Sequence, residues 1–206
     1  MDASQLKILL SKLEGFADPE PRLEQYVTPS DVAARFLNTV RMQVDGDELV
    51  DLGSGTGVLS IGAAALGFTV RGYEQDPDAI QVAEQNLAQA EEETGELDVT
   101  FIQADVEDVD DEADVVAMNP PFGIQDDDAN LRFLEAAFSV ADEVFALLHS
   151  SEAKRDETRQ FIKEFASNRG FDATVFATYR FRLPNSMAFH EREQARIGVD
   201  AYHFTR

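Results

Sequence analysis

A glycine-rich turn between an apolar run and a helical run constrains this chain more than any other feature. Residues 51–57 have the sequence DLGSGTG, preceded by "DELV" and followed by "VLSIGAAALG". Glycine at alternate positions lets the backbone turn sharply and approach a ligand closely, because no Cβ atom stands in the way. The turn therefore predicts a strand that ends at a ligand-binding corner and leads into a helix.

The same order of strand and helix recurs along the chain. Apolar runs that end near residues 52, 74, 105, 119 and 149 alternate with helical segments, and two strand-like runs, 171–181 and 196–206, follow the last helix. Two helices carry start signals, Thr28 as the N-cap before Pro29 and Asp76 as the N-cap before Pro77. The pattern predicts one doubly wound α/β sheet of about seven strands, mostly parallel, with an antiparallel C-terminal edge and helices on both faces.

Composition excludes several classes of protein and site. The chain has no Cys, so disulfides, thiolate metal sites and Cys nucleophiles are excluded. Its three His residues show no metal-ligand spacing, and no metal site is expected. No apolar run approaches the ~18 residues that cross a bilayer, and "MDASQLKILLSKLEG" predicts an amphipathic helix rather than a signal peptide. We therefore expect a cytoplasmic protein with no membrane partner.

The net charge of −23 is extreme for 206 residues. Lys is scarce beside Arg and the acids are spread along the chain, which is typical of adaptation to a high-salt cytoplasm, where charges are screened over only ~3 Å at 1 M. Residues 1–150 hold 7 Lys and Arg against 32 Asp and Glu, whereas residues 151–206 hold 10 against 8. The C-terminal quarter is therefore the part that favours contact with a polyanion.

Acids at two further strand ends complete a predicted site for a nucleoside cofactor. Glu74 follows the second strand, where a carboxylate can hold both hydroxyls of a ribose, and Asp105 follows the third, where one can accept from an adenine amino group. The carboxyl ends of parallel strands meet at one edge of the sheet, beside the glycine turn. The G-x-G-x-G spacing differs from the dinucleotide fingerprint, which disfavours an NAD(P)-linked reductase.

The fourth strand ends in N-P-P-F, residues 119–122, which predicts a site for a flat amine. Asn119 offers an amide oxygen, and the carbonyl of Pro120 a second acceptor, to an exocyclic NH2 group. The prolines stiffen the loop, because each fixes φ and Pro121 keeps Pro120 extended. Phe122 is expected to offer a flat face on which a flipped-out base stacks, a contact worth ~1–3 kcal/mol. Such a site suits methyl transfer from a sulfonium donor, since catalysis then consists of positioning the nitrogen in line.

"DLGSGTGVLSIGAAALG" followed by "YEQDP" resembles the cofactor loop of class I, Rossmann-like, S-adenosylmethionine-dependent methyltransferases. "LEGFADPEPRLEQYVTPSDVAARFL", "MNPPFG", "LHSS" and "RFRLPNSMAFHERE" further resemble the archaeal and eukaryotic small-subunit ribosomal RNA adenine-N6 methyltransferases, over nearly the full length. Together with the acidity, the resemblance implies a member from a halophilic archaeon. It also implies a single-domain protein in which an N-terminal helical extension, residues 1–44, closes over the cofactor site of a methyltransferase domain at residues 45–206.

The resemblance implies roles for individual residues as well. Residues 51–57 would surround the methionine part of the cofactor, Glu74 would bind the ribose, and Asp105 with Val106 would bind the adenine. The implied cofactor set is Gln25, Tyr26, Thr28, Asp51, Gly53, Ser54, Gly55, Thr56, Gly57, Val58, Glu74, Gln75, Asp105, Val106 and Asn119. The implied catalytic loop is Asn119, Pro120, Pro121 and Phe122.

Ribosomal RNA and a small zinc-binding activator protein are the partners that the resemblance implies. The candidate RNA contacts are Arg180, Arg182, His190, Arg192 and Arg196. The activator of family members covers an apolar strand edge and forms a heterodimer, and an exposed strand such as "DVTFIQA" is compatible with such a contact. Two alternatives stay open: a guanine-N2 or protein-glutamine methyltransferase on the same scaffold, and a non-catalytic module that binds RNA or a partner.

Overall fold

The fold is a seven-stranded sheet with helices on both faces, as the sequence predicts. The structure, a computed structural model, describes residues 1–16, 24–122, 128–182 and 196–206, without the side chains of Arg182 and Arg196. The strands are β1 Glu48–Leu52, β2 Thr69–Glu74, β3 Val99–Gln103, β4 Val115–Met118, β5 Glu143–His149, β6 Asp172–Arg182 and β7 Arg196–Thr205. The helices are α1 Ala3–Leu10, α2 Ser30–Gln43, α3 Val58–Ala64, α4 Pro77–Thr94, α5 Ala129–Val140 and α6 Arg155–Ser167, with a 3-10 turn at Val106–Asp108.

The strand order, β3-β2-β1-β4-β5-β7-β6, fixes where a ligand can bind. The pairs among β1 to β5 are parallel, whereas β7 runs antiparallel to both β5 and β6. The chain builds outward in opposite directions from β1 and β4, so the crevice at the carboxyl ends of these two strands is the topological switch point. β3 forms one edge of the sheet.

Two apolar layers hold the helices on opposite faces of the sheet. Side chains from α1, α2 and α3 pack on one face, and those from α5 and α6 pack on the other. Strand residues therefore alternate between the layers, as in β1, where Leu49 joins the first and Val50 the second. Both layers meet the same parallel strands, which explains why these strands are apolar runs rather than alternating ones.

The start of α4 is confirmed, whereas the predicted N-cap of α2 is wrong. Asp76 accepts a hydrogen bond from the backbone N–H of Asp78, with Pro77 in the first turn. The helix α2 instead has Pro29 at its N-cap position with ψ of 136°, an extended value that leaves Thr28 outside the helix. The hydroxyl of Thr28 then faces the end of β4 rather than the first turn of α2.

A buried ion pair fastens α6 to the antiparallel edge. The carboxylate of Asp200, on β7, is fully buried and accepts from Arg159 Nε at 2.8 Å and Nη2 at 2.9 Å. The hydroxyl of Thr178, on β6, donates to the same carboxylate at 2.6 Å. These bonds lower the pKa of Asp200, chiefly through Arg159, against the opposing effect of burial. Arg159 is thus committed to the fold and is not a free cation on the helix.

Candidate functional site

A cavity of about 370 Å³ opens at the carboxyl edge of the sheet, where β1, β2 and β4 end. This volume lies within the range of small-molecule sites, roughly 300–1,000 Å³. The segment 24–28, which precedes α2, forms one wall, and residues at the start of α5 form another. The N-terminal extension therefore contributes directly to the site.

Backbone hydrogen bonds hold the glycine turn against β2. The amides of Gly53 and Ser54 both donate to the carbonyl oxygen of Tyr73, at 2.8 and 2.9 Å. The Glu74 carboxylate accepts from the amide of Gly55 at 2.9 Å and from that of Asp76 at 3.0 Å. Because each carboxylate oxygen has a further lone pair, Glu74 can still accept from a ligand hydroxyl. The predicted ribose acid thus also shapes the turn, a role that its position in the sequence did not indicate.

Glycine is required in the turn by both conformation and space. Gly53 and Gly55 have φ values of +72° and +54°, in the left-handed region. A Cβ atom on Gly55 would lie 2.8 Å from Cζ of Phe16, and one on Gly53 would lie 2.8 Å from Cε1 of Phe133. Two aromatic rings therefore pack directly onto the backbone that lines the cavity.

Asp51 lies at the floor of the cavity with its carboxylate almost completely buried. Ser60 donates to Oδ2 at 2.6 Å, while Oδ1 has no hydrogen-bond partner among the described residues. Burial raises the pKa of Asp51 to about 7, an effect opposed by the Ser60 hydrogen bonds and reinforced by the charge of Glu74. A buried acceptor without a partner suits a cationic group such as an ammonium, which would supply both the missing donor and the missing charge.

The structure brings almost all of the predicted cofactor residues together. Fourteen of them line the cavity: Gln25, Tyr26, Thr28, Asp51, Gly53, Ser54, Gly55, Thr56, Val58, Glu74, Gln75, Asp105, Val106 and Asn119. Gly57 is the exception. It caps α3 with φ of +83°, and its α-carbon faces Phe101 and Ala83 instead of the cavity, so it serves the turn and the packing behind it.

Nine lining residues were not anticipated from the sequence: Phe16, Glu24, Val27, Leu59, Tyr73, Ala104, Glu107, Arg132 and Phe133. Among the described residues of the lining, acids outnumber bases, which favours a ligand with positive charge. Arg132 approaches Glu107 at 3.5 Å across the end where adenine is expected. Phe16 lies in the quoted stretch "LEGFADPEPRLEQYVTPSDVAARFL" and Phe133 in no quoted motif, but only their long-range packing shows that they line the cavity.

In the N-P-P-F loop, the nitrogen of the Asn119 side-chain amide makes a hydrogen bond. Asn119 Nδ2 donates to the hydroxyl of Thr28 at 3.0 Å, and its Oδ1 atom is buried without a hydrogen-bond partner among the described residues. Pro121 lines the cavity beside it, whereas Pro120 is buried. The acceptor that the sequence predicts for an amine is therefore in place and unsatisfied.

Phe122 differs from expectation, because none of its ring is openly exposed. The residue is only 4% exposed and belongs to the apolar layer under α2. Tyr26 stacks on it with ring centroids 5.5 Å apart and planes 14° apart, while Phe181 and His149 contact it from other directions. Burial lowers the pKa of His149, partly offset by the charge of Glu24, which favours a neutral imidazole. The face predicted for a base is covered by Tyr26.

Most of the candidate RNA contacts lie outside the residues that the structure describes. Arg180 is exposed on β6 and pairs with Glu152 at 2.7 Å. His190 and Arg192 lie outside the described residues, as do the side chains of Arg182 and Arg196. Within the described ranges, no group of His, Asp and Glu is arranged to hold a metal ion. No helix of those ranges is long and apolar enough to cross a membrane.

Comparisons with known proteins agree with this geometry. The methyltransferase small-domain family matches residues 28–147. The rRNA N6-adenosine-methyltransferase METTL5 of Danio rerio is 34% identical over 215 aligned residues, which cover 100% of this chain and 99% of that protein. An uncharacterised protein of Methanocaldococcus jannaschii is 30% identical, over 94% of this chain and 90% of its own length. The crystal structure of PH1948 from Pyrococcus horikoshii, proposed to be an RNA methyltransferase, superposes with a TM-score of 0.87 at 36% identity, covering 100% of this chain and 98% of that one.

Proposed function

The chain belongs to the methyltransferase small-domain family, and from that premise we propose that it methylates N6 of an adenine in small-subunit ribosomal RNA. Its cofactor is S-adenosylmethionine. Relatives from Danio rerio, Drosophila melanogaster and Caenorhabditis elegans that are named rRNA N6-adenosine-methyltransferases are 32–34% identical over nearly the whole chain, which supports the choice of rRNA and of adenine.

The observation that carries the proposal is the buried Oδ1 atom of Asn119 beside the cofactor cavity, which has no hydrogen-bond partner among the residues that the structure describes. A buried acceptor without a donor costs roughly 1–3 kcal/mol, so it marks a place where a donor is expected. The exocyclic amine of adenine supplies such a donor. The hydroxyl of Thr28 holds the other end of the amide, which keeps the oxygen in position.

The residues of the chain would act by positioning. The bound cofactor supplies a methyl group on a positively charged sulfonium, which is already a good leaving group. Asn119 and the carbonyl of Pro120 accept from the two N–H groups of the amine, so that its lone pair points toward the methyl carbon. The nitrogen would gain the methyl group and lose a proton to water, and the cofactor would leave as a neutral thioether. A stiff loop suits this task because the two prolines fix the acceptors in place.

The cofactor half of the proposal assigns a part of the ligand to each end of the cavity. Glu74 binds the ribose hydroxyls, and Asp105 with Val106 binds the adenine. Asp51 and residues 53–57 surround the methionine part, and Oδ1 of Asp51, which has no partner within the described ranges, fits its ammonium group. Tyr26 and Gln25 close the cavity from the N-terminal extension.

Two partners belong to the proposal. Ribosomal RNA would contact the C-terminal quarter, including Arg180 and the arginines next to it in sequence. A small zinc-binding activator would pair with β3, which lies at the edge of the sheet and leaves backbone groups open to another strand. The methyltransferase itself would work in the cytoplasm. The strong acidity supports function in high salt, where steering of RNA by charge is weak and recognition of shape matters more.

Mass spectrometry of nucleosides from small-subunit rRNA, with and without the gene, tests the proposal. N6-methyladenosine at one position should disappear without the gene and return when purified protein and S-adenosylmethionine are added in molar salt. Loss of a methylated guanine instead would identify a guanine-N2 enzyme, and loss of methylglutamine from a protein would identify a protein methyltransferase. Failure of the protein to bind S-adenosylmethionine would favour a non-catalytic module.

A further inference from the structure

Asn86, in the middle of α4, has a buried side chain that bonds two separate parts of the cofactor site. The residue is 1% exposed, and its Oδ1 atom accepts from the amide of Glu14 at 2.7 Å. Its Nδ2 atom donates to the carbonyl oxygen of Glu14 at 2.9 Å and to that of Thr56 at 2.9 Å. All three hydrogen bonds join the side-chain amide to backbone atoms. A flipped amide would exchange its oxygen and nitrogen, and all three bonds would be lost.

The two partners of Asn86 belong to opposite sides of the cavity wall. Thr56 is part of the glycine turn, whereas Glu14 belongs to the N-terminal extension, two residues before Phe16. The Phe16 ring lies directly over Gly55. The amide of Asn86 therefore sets the distance between the turn and the aromatic ring that covers it.

Further contacts run along the same face of α4. Gln89 donates to the carbonyl oxygen of Lys12 at 3.3 Å, and Lys12 pairs with Glu93 at 2.7 Å. These residues follow Asn86 at helical spacing, so they share its face. At the N-terminal end of the helix, Asp76 accepts from Gln25 Nε2 at 2.6 Å. The described part of the extension is thus attached to α4 at several points, and the contact of Asn86 is the one that also bonds the glycine turn.

We propose that Asn86 is a positioning residue for the cofactor: it joins the N-terminal extension to the glycine turn, so that the two close around the ligand as one unit. This inference rests on the cofactor part of the proposed function and is independent of the RNA target. Asn86 does not line the cavity, so it acts through Thr56 and Phe16 and not by touching the ligand.

Cofactor binding by the full-length protein tests the role of Asn86. In Asn86→Ala, calorimetry should show S-adenosylmethionine binding weakened about tenfold or more, since three hydrogen bonds near the site are lost. The KM for S-adenosylmethionine should rise by a similar factor, while kcat at saturation stays within about twofold, because the amide does not act on the transition state. Backbone amides of residues 9–16 should exchange with deuterium faster, and the cofactor should no longer slow their exchange.

A second pair of variants leaves α4 untouched. Glu14→Pro removes the N–H that bonds Asn86, whereas Glu14→Ala keeps it; only the first should weaken cofactor binding, by about threefold or more. Asn38→Ala is the matched asparagine control, because Asn38 also donates to a backbone carbonyl, that of Ala34, but within α2.

Unchanged affinity in Asn86→Ala and Glu14→Pro, with only a lower melting temperature, would mean a purely structural role and overturn the inference. If the wild-type protein binds no S-adenosylmethionine, the proposed function itself fails. If the wild-type protein binds it but Asn86→Ala does not fold, the cofactor affinity of Glu14→Pro tests the role of Asn86.

Discussion

The cofactor end of the cavity is held by hydrogen bonds to backbone, whereas the target end is held by packing of aromatic rings. At the first, Glu74, the Tyr73 carbonyl and Asn86 bond the glycine turn at distances of 2.8–2.9 Å. At the second, Tyr26 and Phe181 surround Phe122, and Asn119 Nδ2 donates to the hydroxyl of Thr28. The cofactor end is therefore formed mainly from the ends of neighbouring strands, with Asn86 and Phe16 adding long-range contacts, while the target end depends almost wholly on parts of the chain that are far apart in sequence.

The difference suggests how the two ends respond to substitution. A change at the target end should affect turnover or RNA binding and leave cofactor affinity alone. A change at the glycine turn should do the reverse. Effects on both ends from one substitution would contradict the separation.

The largest effect on turnover is expected for Asn119→Ala. Removal of the acceptor for the amine should lower methyl transfer about a hundredfold or more, by analogy with loss of one hydrogen-bonding group at a transition state. Affinity for S-adenosylmethionine should change less than about threefold. Asn119→Asp keeps an acceptor and should retain more activity than Asn119→Ala. Turnover of the alanine variant comparable to that of wild type would refute the assigned role.

The next effect is expected for Phe122→Leu, which removes the ring but keeps an apolar side chain. The KM for RNA should rise about tenfold, because an aromatic contact to a base contributes ~1–3 kcal/mol, while cofactor affinity stays unchanged. Phe161→Leu is the control, since Phe161 is 52% exposed on α6. Equal RNA kinetics in the two variants would argue against a base at this ring.

A smaller effect, confined to the cofactor, is expected for Gly55→Ala. A Cβ atom there would force Phe16 away in addition to straining a φ of +54°, so S-adenosylmethionine should bind about fivefold to tenfold more weakly. Gly67→Ala is a matched control, because Gly67 has φ of +92° but no atom within 4 Å of the added Cβ. Calorimetry on both variants separates the strain from the steric contact; similar cofactor affinities would show that Phe16 has no part.

The smallest effect is a dependence of cofactor affinity on pH. Burial raises the pKa of Asp51 to about 7, so a cationic ligand should bind a fewfold more tightly as pH rises from 6 to 8 and the carboxylate forms. Asp51→Asn should flatten this profile, and a slope that survives the substitution would point to Glu74, whose pKa is also raised by burial. The same shift lowers stability: the unfolded carboxyl ionises near pH 4, so the contribution of Asp51 to the free energy of unfolding falls as pH rises from there through about 7.

Local signals predicted the cofactor end well. The glycine turn, the acid at the end of β2 and the Asp76–Pro77 helix start are each specified within a few residues, and each lies where the sequence places it. Parallel strands bring their ends together without further information, so Asp51, Glu74 and Asp105 meet once the fold class is known. Two features of this end were not predicted: Gly57 does not line the cavity, and the rings of Phe16 and Phe133 do. Both depend on which side of the backbone faces the cavity.

The target end was harder to predict because its contacts are long-range. Thr28 has the sequence context of an N-cap, yet its hydroxyl bonds Asn119, 91 residues away. The same difficulty applies to Asn86 at the cofactor end, which bonds Glu14 across 72 residues and carries no motif that distinguishes it from any other helical Asn. Phe122 was expected to offer a flat face to a base; its burial is caused by Tyr26 and Phe181, which approach from opposite ends of the chain.

The stack of Tyr26 on Phe122 also affects how a base would be chosen. A base that takes the place of Tyr26 exchanges one aromatic stack for another, so part of the ~1–3 kcal/mol that stacking contributes in an open groove is offset. Less net affinity would then come from the flat face that all four bases share. Discrimination would fall to the hydrogen-bonding edge, where the Asn119 oxygen and the Pro120 carbonyl accept from an exocyclic amine, a group that uracil lacks. Because Tyr26 covers the ring of Phe122, the choice of base thus depends more strongly on its hydrogen bonds.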